Sequence, residues 1–308
     1  MELTFKNCNE EFATLFTYVQ NAKDRFGSSA ASIIVIQDNK IIAEWYDGSH
    51  HFKSGALQVT QDSLFNIYST RKTYVCLALA TAIIDGGISI DTPIHKIVDD
   101  IPRDMLGETT IQDLLTATGP KYFGSEKVER EGLQGKVIEA ITGNNIAQLL
   151  TEKVLKPLKF TQTEWITSPK ENLVCDYTSS NGYASVRIES NEGHERNLYT
   201  NTRDLAYWGY LHLNKGYINE VQILPREIFD LTETLRKENT EKRILGWYHK
   251  KDWYYATGAA GCHCVVFPEF NAVGVRMFNR YTKNYKEDQI AFNSTLLNCL
   301  KEESLVNI

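Results

Sequence analysis

The stretch LFNIYSTRKTYVCLALATAIIDGG, residues 64–87, decides how this chain folds. It opens with a short apolar run and continues with the spacing of a helix, in which one face collects the apolar side chains of Val75, Leu79, Ala82 and Ile83. The glycine pair that follows, at positions 86 and 87, is typical of the end of a helix. The sequence therefore predicts a helix that begins close to Ser69.

Ser69 and Lys72 stand at the start of this helix in a Ser-x-x-Lys arrangement. One helical turn separates them, so both side chains project from the same face. A serine is a weak nucleophile until a neighbouring group takes its proton, and a lysine does so when burial keeps it partly neutral. The helix dipole disfavours the ammonium form and stabilises an oxyanion at the Ser69 amide. The pair is a candidate nucleophile and base.

The Ser-x-x-Lys spacing alone is weak evidence, because about one such match is expected by chance in a chain of this length. A surface serine that caps a helix, followed by a solvated lysine, has the same pattern. The surrounding sequence has to decide between the two interpretations.

Composition limits the classes of protein to consider. The chain has 308 residues, of which 42% are hydrophobic, 23% charged and 11% aromatic, as in a folded globular protein of one large domain or two closely connected ones. The net charge of -6 and the lack of a Lys/Arg run argue against binding to nucleic acid or to a membrane surface.

The cellular location is predicted from what the sequence lacks. The N-terminus, MELTFKNCNEEFATLF, carries acidic residues where a signal peptide has a positive region, and no segment approaches the ~20 apolar residues of a membrane span. The six cysteines are spread without a framework spacing, which fits reduced thiols. We expect a cytoplasmic protein.

The order of helical and strand patterns predicts an α/β (α+β) fold. A helical pattern over residues 9–26 precedes two β-rich runs, 32–36 and 41–46, that read as a hairpin. Helical patterns then dominate up to about residue 213 and include residues 111–115 and 135–155. Later segments read as four strands, 244–248, 253–256, 262–267 and 272–278, and a final helix, 286–299.

The early and late strands most simply form one antiparallel sheet flanked by the terminal helices, with the helical block inserted between them. Residues 1–65 and 214–308 would form the sheet domain, and residues 66–213 a mainly helical region. The cleft between the two regions is the expected active site.

The segment from Leu64 to Pro102 resembles the serine-lysine active-site helix of the serine beta-lactamase and penicillin-binding protein superfamily, particularly its class C and esterase-like branch. Four further segments are similar to the family in the same order: TTIQDLLTATGP, GKVIEAITGNNIAQLLTEKVLKPLKFTQTEW, YTNTRDLAYWGYLHLNKGYINEVQILP and YYATGAAGCHCVVFPEFNAVGVRMFNR. The resemblance covers roughly residues 30–300 and implies that Ser69 is the nucleophile and Lys72 its base.

The family also supplies a catalytic tyrosine in a Tyr-x-Asn loop, which relays protons between nucleophile and leaving group. The best match here is Tyr122, in Lys-Tyr-Phe-Gly, where a glycine stands in place of the asparagine. Tyr177 is the alternative. The resemblance implies that one of the two fills this role, and we assign it to Tyr122.

The third family motif, Lys/His-x-Gly, lies on the strand that lines the cleft. This chain has Ala256-Thr257-Gly258 there, so the cation that helps to bind the substrate carboxylate in beta-lactamases is missing. Gly258 still permits close approach of the backbone, and the Ala259 amide is the candidate second oxyanion donor beside that of Ser69.

We therefore expect a serine hydrolase that forms an acyl-enzyme at Ser69 from a small ester or amide and needs no metal or organic cofactor. A beta-lactamase or D-amino-acid peptidase is one alternative, and a catalytically degenerate binding protein of the same fold is another. The expected partner is a small molecule, with neither nucleic acid nor membrane involved, and the sequence does not fix the oligomeric state.

Overall fold

A computed structural model describes residues 3–178, 184–238 and 243–306 of the chain. Its centre is an eight-stranded sheet. The strands are β1 (Thr4–Phe5), β2 (Ala30–Gln37), β3 (Lys40–Gly48), β4 (Arg243–Ile244), β5 (Trp247–His249), β6 (Tyr254–Thr257), β7 (His263–Phe267) and β8 (Ala272–Phe278). Their order across the sheet is β1-β3-β2-β8-β7-β6-β5-β4.

The predicted antiparallel sheet of early and late strands is confirmed. Strand β2 pairs with β8 from the other end of the chain, and every neighbouring pair is antiparallel except β1 with β3. Strands β2 and β3 form the predicted hairpin through Asp38 and Asn39, which have φ values of 46° and 63°. Left-handed backbone at both turn residues matches the twist of the flanking strands.

Ten α-helices accompany the sheet in the described ranges: α1 (Ala13–Phe26), α2 (Lys72–Asp85), α3 (Arg103–Leu106), α4 (Ile111–Leu115), α5 (Arg130–Thr142), α6 (Ile146–Leu150), α7 (Lys156–Leu158), α8 (Thr202–Leu213), α9 (Arg226–Glu238) and α10 (Tyr285–Val306). The helical pattern over residues 135–155 is interrupted, because Gly143 takes φ 72° and ends α5 and the Asn145 side chain caps α6.

Short strands complete the structure. Phe65–Asn66, Leu198–Thr200 and Thr163–Trp165 form a three-stranded sheet. Three two-stranded pairs join Tyr122–Phe123 with Val128–Glu129, Asp176–Tyr177 with Ala184–Ser185, and Tyr217–Ile218 with Val221–Gln222.

Helices cover both faces of the central sheet. The terminal helices α1 and α10 pack on one face, where Leu15 and Leu296 join a cluster with Val35. Helix α8 lies on the opposite face and comes close to it, because a Cβ atom at Gly209 would lie only 2.6 Å from Val273 Cγ1. The predicted flanking of the sheet by the terminal helices is confirmed.

Helix α2 is more deeply buried than its one-sided pattern predicted. All residues from Thr73 to Ile83 are buried, since α4, α5, α6 and α9 pack around it. A helix that is apolar on every side is typical of the interior of a protein. Among the helices of the described ranges, none combines the length and the apolarity required to cross a bilayer.

Candidate active site

The Ser69 turn, Tyr68–Arg71, is a 3-10 turn that leads directly into α2. Tyr68 has a φ of 50°, in the left-handed region, where a residue with a Cβ atom costs roughly 1–2 kcal/mol. Its amide donates to Asn66 Oδ1 at 2.9 Å. This local strain positions Ser69 at the very start of the helix.

Two glycines bring the sheet edge close to the backbone around the Ser69 turn. A Cβ at Gly258, just after β6, would collide with the Ile67 carbonyl oxygen. A Cβ at Gly246, between β4 and β5, would lie 2.6 Å from the carbonyl carbon of Lys72. Thr70 Oγ1 also donates to the Cys262 carbonyl at 3.1 Å. The turn and the sheet therefore form one rigid wall.

A cavity of about 370 Å³ opens beside this wall. It is lined by Tyr68, Ser69, Arg71, Lys72, Lys121, Glu129, Thr178, Arg187, Arg196, Ala259 and Tyr281. The tertiary structure thus brings Ser69, Lys72 and Ala259 together although nearly 190 residues separate the first from the last. A larger groove of about 810 Å³ beside α8 has none of these three residues in its lining.

The amides of Ser69 and Ala259 are free to bind a ligand. Within the described ranges, neither amide donates a hydrogen bond to a protein acceptor. The turn that carries Ala259 is held from both ends, because the Gly258 amide donates to the Cys262 carbonyl at 2.7 Å and the Thr282 amide donates to the Ala259 carbonyl at 3.1 Å. Two fixed amide donors beside a nucleophile are what an oxyanion hole requires.

Lys72 forms an ion pair with Glu131, the second residue of α5, at 2.9 Å between Nζ and Oε1. Their side chains are only 18% and 6% exposed. Burial lowers the pKa of Lys72, while Glu131 opposes that shift. Burial disfavours the Glu131 carboxylate, but the neighbouring charges of Lys72 and Arg71 hold its pKa at about 2. Glu131 is therefore the counterion of the candidate base.

The role of Glu131 was not predicted from the sequence. An acidic residue in the first turn of a helix is common because it complements the helix dipole, and nothing in the local sequence distinguishes this one. Only the packing of α5 against α2 shows that it faces Lys72.

Neither predicted tyrosine is among the cavity-lining residues. The Tyr122 side chain is exposed, and its hydroxyl accepts a hydrogen bond from Lys121 Nζ at 3.0 Å. Tyr177 is buried, and its hydroxyl accepts from the Phe52 amide at 2.8 Å. The tyrosines that do line the cavity are Tyr68 and Tyr281, and the assignment of the tyrosine role stays a prediction.

Ala256 and Thr257 lie on β6 at the back of the cleft wall. Ala256 is buried in the main core, and the Thr257 hydroxyl contacts His263 Nδ1 at 2.9 Å. Neither residue lines the cavity. Among residues 256–259 at this end of β6, Ala259 alone lines it.

A second carboxyl group, Asp176, lies behind Tyr68 and was also missed by the sequence analysis. Burial raises its pKa to about 8, although hydrogen bonds from Tyr68, Asn66 and Tyr199 work in the opposite direction. The charge of Arg187 also favours the Asp176 carboxylate and opposes the effect of burial.

The sequence matches a family profile over most of its length. The profile of the beta-lactamase family matches residues 17–294. An uncharacterized protein of Alkalihalophilus pseudofirmus OF4 is 30% identical over 332 residues, covering 96% of this chain and 98% of that protein.

Two solved structures share the fold. A candidate beta-lactamase from Bacteroides dorei DSM 17855 has a TM-score of 0.71 at 15% identity, covering 94% of this chain and 99% of its own. EstCE1, described as a hydrolase with promiscuous acyltransferase activity, also has a TM-score of 0.71, at 13% identity, with 90% of this chain and 97% of its own covered. By its sequence profile and its fold, this chain belongs to the beta-lactamase family.

Proposed function

We propose that the protein is a serine hydrolase that cleaves a small ester or amide through an acyl-enzyme at Ser69. The observation that carries the proposal is one cavity that holds Ser69, Lys72 and the Ala259 backbone together. A nucleophile, a buried amine and two free amide donors are the groups that acyl transfer needs.

The reaction would proceed in two halves. Ser69 Oγ attacks the carbonyl carbon and its proton passes to neutral Lys72, while the Ser69 and Ala259 amides bind the oxyanion. The resulting ammonium returns the proton to the leaving group as the tetrahedral intermediate collapses. Water then attacks the acyl-enzyme and gives a proton to Lys72. The ammonium returns this proton to Ser69 Oγ as the acyl group leaves, which regenerates the Ser69 hydroxyl. The assistance of Tyr122 in these proton transfers stays a prediction.

Glu131 fits this scheme as the group that stabilises charged Lys72. Burial favours the neutral amine that accepts the serine proton, and the Glu131 carboxylate favours the ammonium that forms next. The two effects oppose each other: burial lowers the pKa of Lys72, and Glu131 limits that fall.

The absence of a cation at Ala256 supports an ester or amide hydrolase over a beta-lactamase or D-amino-acid peptidase. Cytoplasmic location and independence of metals and organic cofactors stay predictions. The remaining alternative is a catalytically degenerate binding protein, and labelling with a fluorophosphonate distinguishes it from a hydrolase.

The test is intact-mass spectrometry after treatment with a fluorophosphonate, with Ser69→Ala as the control. We expect one adduct on the native protein and none on Ser69→Ala. We also expect Lys72→Met to slow labelling by about 10²–10⁴-fold, the range for losing a general base. No adduct on the native protein would overturn the hydrolase proposal and favour the binding protein.

A further inference from the structure

We propose that the cavity holds an anionic group of the substrate, a carboxylate or a phosphate, through Lys121, Arg187 and the buried Arg71. This inference deepens the proposed function, because it names the chemical class of the ester or amide that Ser69 would attack. It rests on the charges that surround the cavity.

The charges lining the cavity are unequal. The cationic side chains are those of Arg71, Lys72, Lys121, Arg187 and Arg196, whereas Glu129 is the one carboxylate among the described residues of the same lining. Like charges gathered around a small concave site raise the local potential and attract ligands of the opposite charge.

Carboxylates neutralise only some of these cations. Lys72 pairs with Glu131 at 2.9 Å, and Arg196 pairs with Glu129. Arg187 makes a longer contact of 3.3 Å with Glu189, in which both side chains are at least one-third exposed, so water weakens it. Two cations of the lining, Arg71 and Lys121, have no carboxylate of the described chain within ion-pair distance.

Arg71 is the stronger of these two observations because it is 3% exposed. Its Nε donates to the Glu195 carbonyl at 2.7 Å and its Nη2 to the His194 carbonyl at 3.3 Å. These bonds fix the guanidinium, but neutral carbonyls do not cancel its charge. The carboxylates of Glu131, Glu129 and Glu189 act on Arg71 from a distance. Each of them is already paired with another cation, Lys72, Arg196 or Arg187, so positive charge is in excess around the cavity. An anionic ligand would offset that excess.

Lys121 and Arg187 complete the site from two other segments. Lys121 is exposed and donates to the Tyr122 hydroxyl, a neutral group, and Arg187 follows the short strand at Ala184–Ser185. Guanidinium forks and a mobile ammonium both suit carboxylate and phosphate oxygens. A cavity of about 370 Å³ is near the small end of the ~300–1,000 Å³ range of ligand sites, so the ligand is a small molecule.

The kinetic test uses esters of matched length. 4-Nitrophenyl glutarate monoester ends in a carboxylate, 4-nitrophenyl pentanoate ends in a methyl group, and 4-nitrophenyl 4-phosphonobutanoate represents the phosphate source. In 4-acetoxybenzoate the charge lies on the leaving group. 4-Acetoxybenzamide is the neutral match of that ester.

We expect at least one anionic ester to exceed its neutral match by tenfold or more in kcat/KM, and Lys121→Met to lower that ratio about tenfold. Lys6→Met, which removes an exposed charge after the edge strand β1, should leave the ratio within twofold. A preference for either the carboxylate ester or the phosphonate ester would support the site and would identify which anion it binds. Ratios near one for every pair, or a ratio unchanged by Lys121→Met, would overturn it.

A binding measurement separates this inference from the proposed function. Calorimetry on Ser69→Ala protein compares monomethyl glutarate, which is anionic, with dimethyl glutarate, which is neutral. We expect the anion to bind at least tenfold more tightly and to weaken with added salt. Equal binding would overturn the anion site even if fluorophosphonate labels Ser69. Anion binding without labelling would retain the site and refute the hydrolase.

Discussion

Two ion pairs of the described residues are largely removed from solvent, and they differ in what surrounds them. Arg276 and Asp288 join strand β8 to helix α10 with side chains that are 0% and 1% exposed. Lys72 and Glu131 join α2 to α5 and face the Ser69 cavity. The first pair is enclosed on every side, whereas the second opens onto a site that a ligand can enter.

The Arg276–Asp288 pair belongs to a closed hydrogen-bond network. Arg276 Nη1 donates to Asp288 Oδ1 at 3.0 Å, and Nη2 donates to the Gly261 carbonyl at 3.0 Å. His263 contacts Asp288 through Nε2 at 3.0 Å and Thr257 through Nδ1 at 2.9 Å. Neutral His263 satisfies both contacts if Nε2 carries the proton and Thr257 donates to Nδ1.

Burial of charge does not by itself mark an active site. The closed network ties the turn at Gly261 to α10 and has its charges matched inside the protein. The Lys72 region instead leaves cationic side chains beside a cavity and amide donors without acceptors. Unmatched groups facing a cavity are the better indication of function.

The largest expected effect comes from breaking the closed pair. Asp288→Asn leaves the Arg276 charge buried without a counterion, and loss of one partner of a buried pair costs roughly 3–5 kcal/mol. Urea unfolding measures this loss in the free energy of unfolding. Asp230→Asn, which removes the exposed partner of Arg226, should change it by less than about 0.5 kcal/mol. A loss below about 1 kcal/mol for Asp288→Asn would refute the claim that the enclosed pair depends on its matched charges.

An intermediate effect is expected on activity when the open pair is broken. Glu131→Gln removes the carboxylate that raises the pKa of Lys72, so that pKa falls further. We expect the acidic limb of the pH profile of kcat/KM to move to lower pH and kcat to fall about tenfold, because the ammonium loses its counterion. Glu108→Gln, at an exposed pair, is the control. An unmoved acidic limb would mean that Glu131 has only a structural role.

A third effect concerns acid stability. Burial lowers the pKa of His212 to about 3 and those of His249 and His263 to about 4, against 6.5 for an unperturbed histidine. Below pH 6.5, these histidines therefore bind protons in the unfolded chain that they do not bind in the folded chain. This contribution to stability is complete above pH 6.5 and is lost progressively as the pH falls toward 4.

Thermal unfolding at pH 7, 6 and 5 measures this dependence. We expect Tm to fall over that interval and the fall to be shallower for His212→Phe, whose ring keeps the aromatic contacts with Trp208 and Trp247. His95→Gln, at an exposed position, should keep the native slope. If Tm fell equally steeply with pH in His212→Phe and in the native protein, His212 would not be a source of the acid sensitivity.

Local patterns predicted the elements that depend on their own residues. Strand β8 and helix α4 begin and end where the sequence predicted them, at Ala272–Phe278 and Ile111–Leu115. Alternating or helical spacing of apolar residues carries this information directly. The break between α5 and α6 was missed, because the apolar spacing continues across Gly143 and Asn145.

The sequence by itself determined the family, the sheet-and-helix order and the Ser69/Lys72 pair, because one helical turn fixes the spacing of two residues in the same helix. The tertiary structure alone decided the environment of that pair. Glu131, Lys121, Arg187 and Ala259 come from distant segments, and only packing sets which charges and amides meet at the cavity. Desolvation and the pKa shifts it causes depend on that packing, so no local pattern contains them.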